Sequence, residues 1–218
     1  MSEHAHDHAH DHPHRHPPQP DHPEPASDYQ LMGVALNELL IEKGVYTAAE
    51  LRDRIADIES VEPETHGARV IAKAWADPDF KQLLLADGNA AITGLGLNPG
   101  YTVLTVLENR PKLHNVVVCT LCSCYPRTLL GRPPTWYKSG AYRSRLVREP
   151  RAVLREFGTD VPADVEVRVH DSNAELRYLV MPLRPAGTDG LSEEELAALI
   201  TRDSMIGVAP PLEAQSQV

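Results

Sequence analysis

Three cysteines crowd into six residues, Cys119-Thr120-Leu121-Cys122-Ser123-Cys124, and the chain has no others. An odd number of thiols in one cluster is a poor disulfide framework. A Cys122–Cys124 bridge would close a small, strained ring. Thiols gathered this way bind metal or do redox chemistry. Structural zinc takes four ligands, usually in two separated pairs, and this chain has no second pair. His114, the nearest histidine, lies on a preceding strand whose alternation does not aim it at the loop. The short loop offers another way to complete a metal's sphere, because the backbone nitrogens of Ser123 and Cys124 lie beside the sulfurs. With both amides deprotonated, the segment supplies three sulfur and two nitrogen donors and leaves one position open. Such strong donors suit a trivalent, low-spin, octahedral ion better than zinc. A catalytic metal keeps an open position for water or substrate.

The elements that must hold this loop can be read from periodicity. Leu31, Val34, Ala35, Leu36, Leu39 and Leu40 recur at helical spacing, and Gly44 stops the run. Thr47-Ala48-Ala49-Glu50 is a capping box that opens a second helix, with Ile55 and Ile58 on one side. A third helix is expected from Pro63 to Asp77, carrying Val70, Ile71, Ala74 and Trp75. Asp77-Pro78 then caps a fourth, which Gly88 ends. Val103 to Leu107 reads as a strand, Glu108 to Pro111 as a turn, and His114 to Val118 as a second strand running into the cysteines. Val165 to His170 alternates strictly, Asp171-Ser172-Asn173 turns, and Leu176 to Met181 returns as a strand. Glu149 to Phe157 reads as a short helix closed by Gly158, and Ser192 to Glu195 as another capping box.

The expected class is α+β, with an N-terminal helical arm followed by a layered α-β-β-α domain. Four segments are expected: a disordered His-rich tail (1–27), a helical arm that contacts a partner subunit (28–62), the catalytic domain (63–210) and a loose C-terminus (211–218). Eight of the eleven histidines lie between His4 and His22, among Pro, Asp and Ala. That composition cannot build a core. A purification tag is normally an unbroken histidine run, so this is read as a native tail that gathers Co²⁺, Ni²⁺ or Zn²⁺. A solvated tail with no role is the plainer alternative. The net charge of -10 argues against a nucleic-acid partner. No apolar run reaches membrane-spanning length, so no membrane is expected and the expected compartment is the cytoplasm.

Val118 to Pro126 resembles the metal-binding signature of nitrile hydratase α subunits. The resemblance continues through Pro133 to Ser139, Tyr142 to Arg145, Arg151 to Gly158, Asp171 to Tyr178, Gly187 to Gly190 and Thr201 to Gly207. It implies a subunit that hydrates a nitrile to an amide at cobalt(III), with iron(III) the less favoured metal because Thr120 stands where the iron enzymes have Ser. Cys119 is then the unmodified thiolate, Cys122 the sulfinic and Cys124 the sulfenic acid, and Ser123 and Cys124 give the amidate nitrogens. Either an activated water or the sulfenate oxygen attacks the nitrile carbon. The resemblance further implies β-type partner subunits, whose arginines stabilise the oxidised sulfurs, and a cobalt-insertion activator protein.

Two departures bear on the substrate. Where the typical nitrile hydratase has Trp, this chain has Arg127, a cationic fork that suits an anion. Arg there resembles the γ subunit of thiocyanate hydrolase, which cleaves thiocyanate to carbonyl sulfide and ammonia. Arg127 is therefore a candidate catalytic residue beside Cys122 and Cys124. An interface ion pair is the plain alternative. Gly96 to Tyr101, where α subunits supply a glutamine, lacks the longer insertion of thiocyanate hydrolase and favours the nitrile reading. Trp136 and Tyr137 read as core aromatics or pocket-mouth residues. Glu166, Glu175 and Asp171 read as solvated faces or as residues that orient interface arginines, and the Arg143, Arg145, Arg148, Arg151 run as contacts to a partner or to helix carbonyls. A metal-storage or delivery protein is the non-enzymatic alternative.

Overall fold

Four strands form around the cysteine loop: β1 (Val103–Glu108), β2 (Leu113–Val118), β3 (Glu166–Asp171) and β4 (Leu176–Met181). The computed structural model describes residues 27–60, 65–122 and 124–214. Both turns read from the sequence are present. Arg110 and Leu113 exchange backbone hydrogen bonds, and the Asn173 side chain accepts from the amides of Glu175 and Leu176. Neither turn closes a hairpin. β1 instead pairs in parallel with β4, from Val103↔Leu176 to Glu108↔Met181, and β2 pairs in parallel with β3, from Leu113↔Glu166 to Val118↔Asp171. Burial explains this. Val116, Val117 and Val118 are all buried, as are Leu179, Val180 and Met181. Strands covered on both faces read as continuous apolar runs and occur in parallel sheets. Parallel neighbours need a long crossover. The crossover from β2 to β3 begins with the cysteines.

The helices that pack on this frame are mostly those the periodicity predicts. α1 (Asp28–Glu42) and α2 (Ala48–Ser60) make the arm, linked by a hydrogen bond from Tyr46 Oη to Asn37 Oδ1. The Thr47–Glu50 capping box is formed in both directions. Leu31, Met32, Val34 and Leu36 on α1 are exposed. α3 (Thr65–Ala76) buries Val70, Ile71 and Ala74, and α4 (Pro78–Ala86) starts as expected on Asp77, which accepts from the amides of Asp79 and Phe80. Gly88 does not end the helical segment there. It opens α5 (Gly88–Gly94), with Asp87 capping the amide of Ala90. A Cβ at Gly88 would lie 2.5 Å from the Leu104 carbonyl, so glycine serves the close approach of this helix to β1.

Within the crossover, α6 (Arg127–Leu130), α7 (Thr135–Lys138) and α8 (Gly140–Leu146) are too short to show a period in sequence. α9 (Pro150–Glu156) ends at Gly158 as predicted, and the Ser192–Glu195 capping box starts α10 (Glu193–Ala197). A second capping box, Thr201 with Ser204, starts α11 (Arg202–Ile206). The sequence reading did not single it out. Leu129, Leu130, Leu146, Leu154, Leu196 and Met205 join α3 and the strands in one core. The mixed α+β class is observed, with two two-stranded parallel sheets. The expected start of the third helix at Pro63 and the His-rich tail through residue 26 lie outside the described residues. So do Ser123 and residues 215–218.

Candidate metal centre

The cysteine loop leaves β2 at its carboxyl end, beside the last pair of the β2–β3 ladder. Cys119 and Cys124 are buried and Cys122 is exposed. The Cys122 and Cys124 sulfurs are 3.2 Å apart, those of Cys119 and Cys122 3.5 Å, and all three lie within 4.8 Å of one another. These separations are far too long for a disulfide, whose sulfurs sit about 2.05 Å apart. They match sulfurs that share one ion. With metal–sulfur bonds of about 2.3 Å, sulfurs at adjacent corners of an octahedron sit about 3.3 Å apart and those of a tetrahedron about 3.8 Å. The sulfurs are therefore placed to share one ion, with the Cys122–Cys124 spacing at the octahedral value and the Cys119–Cys122 spacing between the two. Among the described residues this is the one group of three or more His, Cys, Asp or Glu side chains with such geometry. His114 is not part of it, because its Nε2 faces the Gly207 carbonyl, 2.7 Å away.

Burial pushes the Cys124 thiol up to about 12, helped by its Cys122 and Cys119 neighbours and opposed by the positive charge of Arg177. A cation reverses that order, because a thiol that coordinates metal is deprotonated outright.

The loop is held from several sides. The buried Tyr137 donates its hydroxyl to the Cys124 carbonyl at 2.9 Å, and Tyr142 donates to the Val117 carbonyl at 2.7 Å. Burial keeps both phenols protonated, so they remain donors. Trp136 packs edge-on against Tyr137, Tyr142 and Phe157. Trp136 and Tyr137 are thus core aromatics, as one of the two sequence readings held. Three arginines of the basic run bind their own chain: Arg143 reaches the Thr120 carbonyl, Arg145 pairs with Glu149 and Glu156, and Arg151 donates to the carbonyls of Val161, Pro162 and Val165. Glu166 is exposed and pairs with Arg168. Asp171 is exposed, as the solvated-face reading held, and both its carboxylate oxygens also accept hydrogen bonds from Thr120.

A pocket of about 340 Å³ opens beside Cys122 and Cys124. Pro99 and Gly100 line it, so the Gly96–Tyr101 segment does reach the site. Arg127, the first residue of α6, lines it too. So does Arg177 of β4, which the sequence reading did not propose for the site. Nothing local marks Arg177, because only the β1–β4 pairing carries it there. Among the described residues no carboxylate lines this pocket, although the chain as a whole is acidic.

The chain matches the family described as "Nitrile hydratase, alpha chain" over residues 27–209. It is 54% identical over 180 residues to the cobalt-containing nitrile hydratase subunit alpha of Pseudonocardia thermophila, covering 81% of this chain and 87% of that one. It is 48% identical over 200 residues to the thiocyanate hydrolase subunit gamma of Thiobacillus thioparus, covering 86% and 82%. Among solved structures, recombinant thiocyanate hydrolase with partially modified cobalt centres is similar at a TM-score of 0.78 and 45% identity, over 88% of this chain and 96% of that one. A relationship at this identity over 81% of the chain, with the converging thiols in place, is decisive: the chain belongs to the nitrile hydratase α-chain family.

Proposed function

We propose that this chain is the metal-bearing subunit of a cobalt nitrile hydratase, holding the ion with Cys119, Cys122 and Cys124 and with the backbone nitrogens of Ser123 and Cys124. The observation that carries the reading is the convergence of three sulfurs within reach of one ion, two of them, Cys122 and Cys124, on the wall of a pocket. The metal, when bound, supplies Lewis acidity toward a nitrile or a water. Buried Cys119 anchors the loop from within the core. Cys122 and Cys124 face the pocket and are the positions read as sulfinic and sulfenic acids. Ile92, Leu104 and Leu129 give the pocket its apolar wall, which excludes water from a bound organic group. Arg127 stands at the same wall and orients a polar or charged end of the substrate.

The exposed apolar side chains of α1 support an arm that docks on a β-type partner subunit, whose donors complete the site. A cobalt-insertion activator, a layered α-β-β-α arrangement of the domain and a cytoplasmic setting belong to the same reading. Among the described residues no helix is long and apolar enough to cross a membrane.

Metal analysis of the native complex with peptide mass spectrometry of residues 112–132 tests this. Inert cobalt with a sulfinic acid at Cys122 and a sulfenic acid at Cys124 is expected. Labile nickel or zinc on unmodified thiols would instead establish a storage or delivery protein. A second reading, hydrolysis of thiocyanate, is favoured by one observation: among the described residues two guanidiniums and no carboxylate line the pocket. Assays of the reconstituted complex with neutral nitriles and with thiocyanate decide between the two.

A further inference from the structure

A second pocket, of about 360 Å³, lies where β1 and β4 end and β2 and β3 begin. It shares no lining residue with the pocket beside the cysteines. The six residues of β2 separate the two, roughly 17 Å at the rise of a parallel strand. Leu113, Val161, Val165, Pro182, Leu183 and Pro210 make its walls apolar. Arg151 stiffens one wall by donating to the carbonyls of Val161, Pro162 and Val165. The charged side chains on the lining, Arg110 and Asp160, are one of each sign.

Two polar atoms stand out against these walls. The Arg110–Leu113 bridge closes a tight turn, and Asn109 and His114 flank it on either side. Asn109 is buried, and its Oδ1 accepts from the Asn115 amide at 2.7 Å and from Asn115 Nδ2 at 3.1 Å. That fixes Asn109 Nδ2 as the remaining donor. His114 Nε2 faces the Gly207 carbonyl at 2.7 Å, so it carries the proton. Burial, opposed by that bond and reinforced by Arg151, favours the neutral ring, which leaves Nδ1 an acceptor. Neither Asn109 Nδ2 nor His114 Nδ1 has a hydrogen-bond partner among the described residues, and neither is sealed from solvent. Both residues line the pocket.

We propose that this pocket is a binding site for a small, uncharged primary carboxamide, whose carbonyl accepts from Asn109 Nδ2 and whose NH₂ donates to His114 Nδ1. The apolar substituent lies against Leu113, Val165 and Leu183. A volume in this range, apolar walls and a few convergent polar groups are what small-molecule sites share. A nitrile only accepts, so it leaves Nδ1 unpaired. A carboxylate also only accepts, and its charge meets the Nδ1 lone pair. The amide alone of these three satisfies both atoms. The inference stands on the two free atoms and shares only a ligand class with the proposed function, since hydration of a nitrile releases an amide.

The test titrates benzamide into the full chain, metal-free and in its native complex, and follows the ring nitrogens of ¹⁵N-labelled histidine by NMR. Benzamide is expected to move the His114 Nδ1 signal. Benzoate and benzonitrile are expected to bind about tenfold more weakly or worse, since each leaves one polar atom unpaired. Asn109→Asp keeps the acceptor for Asn115 and removes the donor, and is expected to weaken benzamide about tenfold. Leu183→Trp fills the pocket from an exposed position and is expected to abolish binding. Arg127→Trp, in the other pocket, is expected to leave it unchanged. Should Asn109→Asp fail to fold, Leu183→Trp carries the test. An unmoved His114 signal, benzoate binding as tightly as benzamide, or binding that survives Leu183→Trp would overturn the proposal. Binding to the lone chain but not to the complex would overturn it too, because a partner subunit then fills the pocket. If the complex hydrates no nitrile while benzamide still binds here, the proposed function falls and this site stands.

Discussion

Replacing Tyr137 with Phe removes one oxygen atom and nothing else from the core. The ring is fully buried, in edge-on contact with Tyr125 and Trp136, and Phe keeps that packing, so no cavity term arises. What is lost is the donor to the Cys124 carbonyl at 2.9 Å. A buried acceptor left without its partner costs about 1–3 kcal/mol. Taking about 2 kcal/mol, the melting temperature falls by about 4–8 °C for a chain of this size. Tyr142→Phe removes a comparable buried bond, to the Val117 carbonyl at 2.7 Å, and is expected to cost the same. The two differ in what they loosen. Tyr137 holds the carbonyl of a proposed ligand, whereas Tyr142 holds the strand before the loop. Both variants melt early by circular dichroism, and Tyr137→Phe shows the larger change in the visible absorption of the cobalt-loaded complex. A Tyr137→Phe melting temperature within about 1 °C of the unaltered chain would refute the reasoning, because it would mean that water replaces the phenol at no cost.

Three further outcomes are expected. Arg127→Trp is expected to lower kcat/KM for thiocyanate relative to a neutral nitrile by about tenfold or more, the loss of one charge-assisted hydrogen bond of about 1.5–3 kcal/mol. An unchanged ratio removes Arg127 as the selector. Burial, reinforced by the nearby charge of Arg151 and opposed by the bond to Gly207, holds the His114 imidazole below its ordinary 6.5. The unfolded chain therefore takes up that proton first. Stability is fully present above pH 6.5 and is lost as pH falls through the folded value. Urea titrations at stepped pH should show a shallower acid slope for His114→Gln. Gly207→Ala places a Cβ 2.1 Å from the Asn115 carbonyl at a φ of 90°, which should cost about 3 kcal/mol or more and give little soluble chain. Normal yield and melting would show that β2 can shift there.

Much of this protein is determined by the sequence alone, because its signals are local. The three-thiol loop needs only its own spacing. The Thr47–Glu50 and Ser192–Glu195 capping boxes and the Asp77-Pro78 start need only neighbours within a turn, and all three occur where read. Where the competing energies lay between distant segments, local reading fell short. The turns at Glu108 and Asp171 look like hairpin turns in sequence. Burial of Val116 to Val118 on both faces instead favours parallel partners more than forty residues away. Gly88 reads as a stop, but the nearness of the Leu104 carbonyl makes it the glycine that a helix-on-strand contact requires. The β1–β4 pairing brings Arg177 into the pocket, and the β2–β3 pairing sets Asp171 at the end of its ladder, where its carboxylate meets Thr120. The chemistry of the loop was therefore written in six consecutive residues. What clamps it, and which charges face its pocket, were decided by the crossover, since parallel strands meet only after the chain between them has folded.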